Sequence, residues 1–236
     1  KDPDTDKYTL KKSSGDKNRD KKNQEFLDEL VRYYAEMYGT GDLELDMQKI
    51  RDMMNLFAYQ ESLYDPSNMS AYNPYGILNE RNLTRAKGKY HFKDDEVDTG
   101  IQRMHNNASS IINIYSDFGY IDQNMEAGNR LQMPFLNDLK SHKDMNKLSE
   151  TEQDIFLLVN LIQGDAPFSK FMTNEISIKD LYFQGHYKGD ASPEVVTNFD
   201  IRAADFLEKN KKGDFKLVEN IIETPEEIED PTIKSS

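Results

Sequence analysis

Residues 46–66 read DMQKIRDMMNLFAYQESLYDP and join an apolar helical pattern to a carboxylate at its end. Apolar side chains recur there every three or four residues, at Met47, Ile50, Met54, Phe57 and Ala58. This spacing predicts a helix from about Asp46 with one buried face. Glu61 follows Phe57 by four residues and therefore lies on the same face, where the apolar stripe ends. Pro66 predicts the end of the helix, because the residue before a proline is pushed out of the α region.

Glu61 is a candidate general acid. A carboxyl group at the edge of a buried face loses solvation, and this disfavours its charged form. We therefore expect a raised pKa that lets Glu61 donate a proton near neutral pH. A lone glutamate at a helix end is otherwise a solvated surface group. The loop that follows favours a site, because its Ser70, Asn73, Pro74 and Gly76 predict a turn-rich crossing back over the carboxylate.

These residues resemble the soluble lytic transglycosylase family, which has the goose-type lysozyme fold and cleaves peptidoglycan glycan strands. The family pattern runs Glu-Ser, Asn-Pro, Ser and then Gly-Leu-Met-Gln. At the same spacing this chain has Glu61-Ser62, Asp65-Pro66, Ser70 and Gly76-Ile77-Leu78-Asn79. The aliphatic changes at Ile77 and Leu78 preserve the wall of a cleft. Asp65 replaces the usual Asn, and Asn79 keeps the amide of the usual Gln but shortens its reach.

A second family motif, Ala-Tyr-Asn-Ala-Gly, supplies a tyrosine that faces the catalytic glutamate. Its counterpart here is Leu181-Tyr182-Phe183-Gln184-Gly185, followed by a predicted helix from Ser192 to Asn210. A rival placement on Leu158-Val159-Asn160 keeps the Asn but loses the tyrosine. Tyr182 could also be an ordinary core residue. In favour of a site, an aromatic ring with a polar tip just before Gly185 suits a cleft wall that a ligand approaches closely.

The resemblance implies a mainly α, lysozyme-like domain that cleaves the β-1,4 bond between N-acetylmuramic acid and N-acetylglucosamine. It implies that Glu61 alone acts as general acid and then as base, forming a 1,6-anhydro product without metal or cofactor. The expected substrate contacts come from Ser62, Ser70, Tyr75, Gly76, Ile77, Asn79, Tyr182 and Gln184. The implied partner is the peptidoglycan glycan strand. The implied location is outside the cytoplasm, in the periplasm, cell wall or medium, within envelope-spanning machinery or on a phage particle.

Other functions stay open on the residues alone. Most glycosidases use a second carboxylate, and the nearby candidates are Glu80 and the acidic turn Asp94-Asp95-Glu96. A hydrolytic lysozyme on the same fold is therefore one alternative. A catalytically inert glycan-binding or assembly module is another, which the changed Asn and Gln positions favour. In a third alternative the chain is an unrelated helical interaction protein and Glu61 is a coincidence.

Composition narrows the class of protein. With 236 residues, 36% of them hydrophobic, the chain can bury one sizeable core. Its net charge of −13 argues against a nucleic-acid partner, which needs a basic surface. The longest apolar run, residues 155–159, is too short to cross a bilayer. Without cysteine there is no thiolate metal site, and His91, His105, His142 and His186 lack ligand spacing, so we expect surface or packed imidazoles.

The charge pattern predicts three regions. Residues 1–23 are a flexible charged arm, residues 24–222 the lysozyme-like domain, and residues 223–236 an acidic tail. Within the domain, apolar spacing predicts one helix that stops at Gly39 and a long one from about residue 97 to Gly119. Ser149 and Glu152 form a predicted capping box.

Two further segments carry predictions. Residues 88–92 alternate like a strand and predict a small hairpin or extended lip after the loop that follows Glu61. Residues 122–149 are polar, and we interpret them either as an insertion that shapes one end of the cleft or as a solvated loop with a helical turn.

Overall fold

The computed structural model describes residues 10–78, 84–126, 130–164 and 167–210, and this part of the chain is mainly helical. The predicted mainly α fold class is therefore confirmed. The α-helices are α1 (Lys17–Tyr38), α2 (Leu43–Ser62), α3 (Asp94–Asn106), α4 (Ile112–Asp117), α5 (Pro134–His142), α6 (Glu150–Gly164), α7 (Pro167–Met172), α8 (Ile178–Leu181) and α9 (Pro193–Asn210). Short 3-10 turns lie at Met69–Ala71, Ala108–Ile111 and Met145–Lys147, and a π-helical turn at Tyr182–Tyr187.

Helix α1 begins earlier than the sequence predicts. The Asp16 side chain caps it by accepting hydrogen bonds from the backbone N–H groups of Asn18 and Arg19. The predicted arm at residues 1–23 is thus wrong for its second half, because the charged residues there find partners on α6: Arg19 pairs with Glu152. Residues 1–9 lie outside the described part, as do residues 211–236 with the predicted acidic tail.

Helix α2 follows the predicted apolar stripe and carries it into the centre of the molecule. Phe57 and Ala58 are fully buried, and α2 packs against α1 and α9. The helix ends at Ser62, before the predicted stop at Pro66. Leu63 adopts a left-handed conformation with φ of 54°, and its N–H bonds the carbonyl of Tyr59, which ends the helix from within.

The long helix predicted from residue 97 to Gly119 is wrong, since α3 ends at Asn106. The Asn107 carbonyl accepts hydrogen bonds from both the backbone N–H and the hydroxyl of Ser110, and a 3-10 turn follows. Short polar side chains compete in this way with the helical ladder, so the stripe continues into α4 after a break. The buried face of α3 packs against α6 and α5.

The described part of residues 122–149 contributes side chains to the core. Phe135, Leu139 and Met145 are completely buried, and α5 packs against α3. The solvated-loop interpretation is therefore wrong for the described part of this segment. The polar composition favoured a solvated loop, but the leucine and phenylalanine side chains in the described part of this segment are buried, as the spacing along α5 allows.

Helix α6 lies at the centre of the packing, in contact with α1, α3 and the π turn. Half of the predicted capping box is present: Ser149 Oγ accepts from the N–H of Glu152 at 3.4 Å. The Glu152 carboxylate instead accepts hydrogen bonds from Arg19 and Asn23. Tertiary partners thus replace the local bond. In the described ranges, no helix combines the length and apolar character needed to cross a membrane.

The predicted lip exists as a tight hairpin at residues 87–92, here called the lip. Lys87 and Phe92 exchange two backbone hydrogen bonds of 3.0 Å, and Lys87 also bridges to Tyr75. Gly88 turns the chain with φ of 89°, and a Cβ there would lie 2.5 Å from Gln153 Oε1. Glycine is therefore needed both for the backbone conformation and for the close approach to α6.

Candidate active site

Glu61 occupies the last turn of α2 with its side chain 18% exposed. The preceding residue is held from α9, because Arg202 donates to the carbonyl of Gln60, and Gln60 Nε2 donates to the carbonyl of Phe199 at 3.0 Å. Two elements far apart in the chain thus fix the position from which the carboxyl group projects.

Tyr182 and Glu61 meet directly. The tyrosine hydroxyl donates to Glu61 Oε1 at 2.5 Å, across 121 residues of sequence. The ring is buried and packs edge-on against Phe57, with centroids 5.2 Å apart, and against Phe199 at 5.0 Å. Tyr182 therefore combines both earlier interpretations, since its ring is core and its hydroxyl belongs to the site.

Two histidines flank the same carboxyl group. His186 Nε2 lies 3.3 Å from Glu61 Oε1, and His91 Nδ1 lies 3.6 Å from Glu61 Oε2. Both imidazoles are packed, which is one of the two expected settings, but their contact with the Glu61 carboxyl group was not expected. Sequence reasoning missed them, although the four-residue interval from Tyr182 to His186 signals one face of a helical turn.

Packing fixes both imidazoles. The His186 ring stacks on Phe57 with centroids 5.7 Å apart and lies edge-on to Phe92 at 5.6 Å. His91 is held by the lip, where its backbone is left-handed with φ of 49°. Its Nε2 lies 2.9 Å from the carbonyl oxygen of Asn73.

The predicted rise in the pKa of Glu61 is wrong. Burial does act to raise this pKa, as expected. The hydrogen bond and charge of His186, the charge of His91 and the hydrogen bond from Tyr182 together outweigh burial and hold the pKa of Glu61 below its ordinary value. The apolar stripe is visible in the sequence, whereas these three partners come from distant segments.

A cleft of about 1000 Å³ opens in front of Glu61. Its lining includes the end of the lip, one face of α3, buried residues of α6 and the π turn, with Asn73, His91, Phe92, Asn160, His186 and Tyr187 among the residues. A second cavity of about 200 Å³ shares Glu61, Tyr187 and Arg202 with the cleft. Space for a ligand therefore extends to two sides of the carboxyl group.

Some predicted contact residues lie in the cleft. Gly76 and Ile77 line it, and the Ile77 side chain is 97% exposed. Gly185 lines it as well, and a Cβ there would lie 2.8 Å from Leu161 Cδ1. That glycine lets the π turn approach α6, in addition to bordering the cleft.

Other predicted contact residues lie elsewhere. Ser62 is fully buried, and its hydroxyl lies within hydrogen-bond distance of the carbonyls of Ala58 and Lys89, so it holds the lip instead of touching a ligand. Ser70 Oγ donates to Asn68 Oδ1. Tyr75 and Gln184 are absent from the cleft lining. Asn79 and Glu80 lie outside the described residues.

The rival residue Asn160 also borders the cleft. Its Nδ2 donates to the carbonyl of Phe156 at 2.9 Å, while its buried Oδ1 has no hydrogen-bond partner among the described residues. The structure thus brings both Tyr182 and Asn160 to the same site, with Tyr182 in contact with Glu61.

Further carboxylates reach the cleft from the start of α3. Asp95 and Glu96 line it, and Glu96 Oε2 accepts from the N–H of Lys93 at 2.7 Å. Asp94 instead pairs with Lys87. In the part of the chain that the structure describes, no group of three or more His, Asp or Glu side chains is arranged to hold a metal ion.

The predicted role of residues 122–149 in shaping the cleft is wrong for their described part, because none of those residues lines it. They pack behind α3 instead.

No protein-family model, curated protein or solved structure matches this chain. The function is therefore inferred from Glu61 and the side chains around it.

Proposed function

We propose that the protein is a peptidoglycan lytic transglycosylase with Glu61 as its general acid. The observation that carries the proposal is the partly buried Glu61 carboxyl group, held by the Tyr182 hydroxyl and open to space on two sides. The two residues belong to the two motifs that resemble the transglycosylase family, and they meet although they are distant in sequence. That meeting supports the resemblance beyond the local spacing around Glu61.

The lining of the cleft suits a glycan of N-acetylated sugars. The exposed ring of Tyr187 and the ring of Phe92 offer flat apolar surfaces against which sugar faces pack. The amides of Asn73 and Asn160 offer donors and acceptors for hydroxyl and acetamido groups. Space on both sides of Glu61 allows a chain to continue past the bond that is cleaved.

The proposed reaction uses Glu61 twice. Its proton passes to the glycosidic oxygen as the bond from that oxygen to C1 breaks. The carboxylate then accepts the proton of the C6 hydroxyl while O6 bonds to C1, which gives a 1,6-anhydro end and restores the acid. Tyr182 and His186 stabilise the intervening carboxylate by donating hydrogen bonds to Oε1.

A hydrolytic muramidase is the second candidate, and one observation favours it. Asp95 is exposed on the lining of the same cleft as Glu61 and provides a carboxylate that can activate water. The two reactions differ in product mass, because the anhydro product is lighter by one water.

The test is digestion of purified peptidoglycan at acidic pH, with the soluble fragments analysed by mass spectrometry. We expect 1,6-anhydro muropeptides from the native protein. Glu61→Gln keeps shape and hydrogen bonding but removes the acid, so release should fall at least about a hundredfold. Glu25→Gln, an exposed change on α1, is the matched control and should release fragments normally.

Each other outcome identifies an alternative. Fragments that retain the water indicate the muramidase. Bound glycan without any fragments indicates the inert glycan-binding or assembly module. A protein that neither binds nor cleaves the glycan is an unrelated helical interaction protein. Near-normal release by Glu61→Gln shows that Glu61 is not the general acid.

A further inference from the structure

The surroundings of His91 determine which of its ring nitrogens carries hydrogen. Nε2 lies 2.9 Å from the Asn73 carbonyl oxygen, which can only accept, so Nε2 is the donor. A neutral imidazole has a single N–H group, and Nδ1 of neutral His91 therefore carries a lone pair. This nitrogen faces Glu61 Oε2 at 3.6 Å.

The two oxygens of Glu61 have different neighbours. Oε1 receives the Tyr182 hydroxyl and lies 3.3 Å from His186 Nε2. Oε2 faces His91 Nδ1. When Glu61 is ionised and His91 is neutral, two lone pairs face each other on this side, and a single added proton turns that contact into an attractive one. The proton can be carried by either partner.

The charged and titratable groups facing His91 come from three elements. They are Glu61 from α2, His186 from the π turn and Arg202 from α9. Burial lowers the pKa of His91, and Arg202 and His186 act in the same direction, whereas Glu61 and the bond to Asn73 raise it. Glu61 is thus the one facing carboxylate that favours a proton on His91 among these groups.

The backbone of the lip holds His91 in this position. Its φ of 49° lies in the left-handed region, which is uncommon for residues with a side chain. The neighbouring Lys89 carbonyl is bonded by Ser62 Oγ at 2.7 Å, and the Lys89 N–H donates to Gln153 Oε1 at 2.8 Å. Strained backbones held in this way from both sides are typical of functional sites.

We propose that His91 and Glu61 share one proton, with Nδ1 and Oε2 as the two atoms between which it is held. His91 is then a positioning residue: neutral His91 accepts the hydrogen of protonated Glu61 and keeps the acidic proton on Oε2, away from Tyr182. Under the proposed function, on which this role in cleavage rests, Oε2 gives that proton to the glycosidic oxygen and regains one from the C6 hydroxyl.

The test is nitrogen-15 NMR of the histidine side chains across a pH titration, which needs no activity. In the native protein we expect neutral His91 to be the Nε2–H tautomer. In Glu61→Gln the pKa of His91 should fall, because the carboxylate that stabilises the imidazolium is gone. His105 and His142, which do not contact Glu61, serve as internal controls and should titrate as before.

Two results overturn the proposal: a neutral His91 with hydrogen on Nδ1, or a His91 pKa that Glu61→Gln leaves unchanged. The first is read from the native protein, so it stands even if the variant folds poorly. Both are independent of catalysis, so a protein that cleaves no glycan can still show the shared proton. Failure of the shared-proton proposal can therefore be distinguished from failure of the proposed function.

If the protein does cleave peptidoglycan, His91→Asn adds a kinetic test. Asn tolerates the left-handed backbone but cannot titrate in this range. We expect kcat to fall about tenfold, equivalent to about 1.4 kcal/mol, and the dependence of kcat on pH to change shape. A variant with native kcat and a native pH profile contradicts the positioning role.

Discussion

At the scale of single residues, the site depends on the balance between burial and hydrogen bonding at Glu61. Burial favours a neutral carboxyl group, whereas Tyr182 and the two histidines favour the carboxylate. The effect of these three partners is larger than that of burial, so the pKa of Glu61 lies below the ordinary value of 4.5. At neutral pH Glu61 is therefore ionised in the free protein, and it becomes protonated only when the pH is lowered.

We accordingly expect glycan cleavage to increase as pH falls from neutral toward the ordinary glutamate range. Only protonated Glu61 can act as the acid, and its share grows tenfold for each pH unit while pH exceeds the pKa. A lowered pKa also means that ionised Glu61 stabilises the fold above pH 4.5 and that this contribution is lost as pH falls through the folded-state pKa. The measurement is kcat/KM against pH, with circular dichroism at each point to detect unfolding. A rate that rises toward alkaline pH contradicts the assignment.

Tyr182→Phe tests the hydroxyl separately from the ring. The ring keeps its packing against Phe57 and Phe199, so the free energy of unfolding should fall by about 1 kcal/mol, the contribution of one hydrogen bond. With one donor fewer, the carboxylate of Glu61 is less favoured, its pKa rises, and the pH profile of activity should move toward neutral while kcat falls.

Tyr34→Phe is the matched control for that change. The Tyr34 hydroxyl is buried and has no hydrogen-bond partner among the described residues. Its removal should leave stability unchanged or slightly improved, and activity and pH profile should be native. If Tyr182→Phe behaves like this control, the hydroxyl has no role at Glu61.

At the scale of elements, the lip depends on a buried ion pair. Lys89 is 4% exposed in its side chain and bonds Glu150 and Asp154 of α6 at 3.1 and 2.9 Å. Tyr90 also donates to Asp154, and burial raises the pKa of Asp154. The pKa of Glu150 is about 2, because Lys89, Lys12 and Tyr64 outweigh the effect of burial. These charges compensate one another and anchor the hairpin that carries His91.

Lys89→Met should therefore destabilise the protein by about 3–5 kcal/mol, because it leaves the Asp154 carboxylate without its cation, whereas Glu150 keeps Lys12. Urea unfolding followed by circular dichroism measures this loss. Lys143→Met, which removes an exposed pair with Asp98 at 2.6 Å, is the control and should cost no more than about 1 kcal/mol. Equal losses in the two variants contradict the anchoring of the lip by charge.

At the scale of the whole molecule, the chain has a strongly negative net charge, whereas the lining of the cleft carries charges of both signs. The chain carries −13, yet the cleft lining combines Lys93, Arg103, Lys188 and Arg202 with Glu61, Asp95, Glu96 and Asp190. If the proposed anionic peptidoglycan is the substrate, long-range repulsion acts between it and the molecule, whereas the charges of the cleft itself are locally balanced.

This difference predicts a salt effect that depends on the substrate. Raising ionic strength from low salt to about 0.15 M shortens the screening length to about 8 Å and weakens the repulsion. The initial rate on anionic peptidoglycan should therefore rise, and the rate on a neutral N-acetylglucosamine oligomer should change little. An equal response of both substrates contradicts a long-range charge effect.

Several local features could be predicted because their causes are local. The apolar spacing of Ile50, Met54 and Phe57 indicates α2 and its buried face, and Gly39 marks the end of α1. Alternation in residues 88–92 indicates the lip. The break at Asn107 could not be predicted from periodicity, since the apolar period continues through it while Ser110 donates two hydrogen bonds to the Asn107 carbonyl, where a 3-10 turn replaces the α-helix.

The sequence by itself determined a mainly helical chain with a carboxylate at the end of a buried stripe, because side-chain periodicity and turn residues act over a few positions. Only the tertiary structure decided what surrounds that carboxylate. Tyr182 and His186 reach Glu61 from the π turn and His91 reaches it from the lip, and together they lower a pKa that local burial alone would raise. Long-range packing sets both the donors and the distances, and these determine the proton affinity of Glu61.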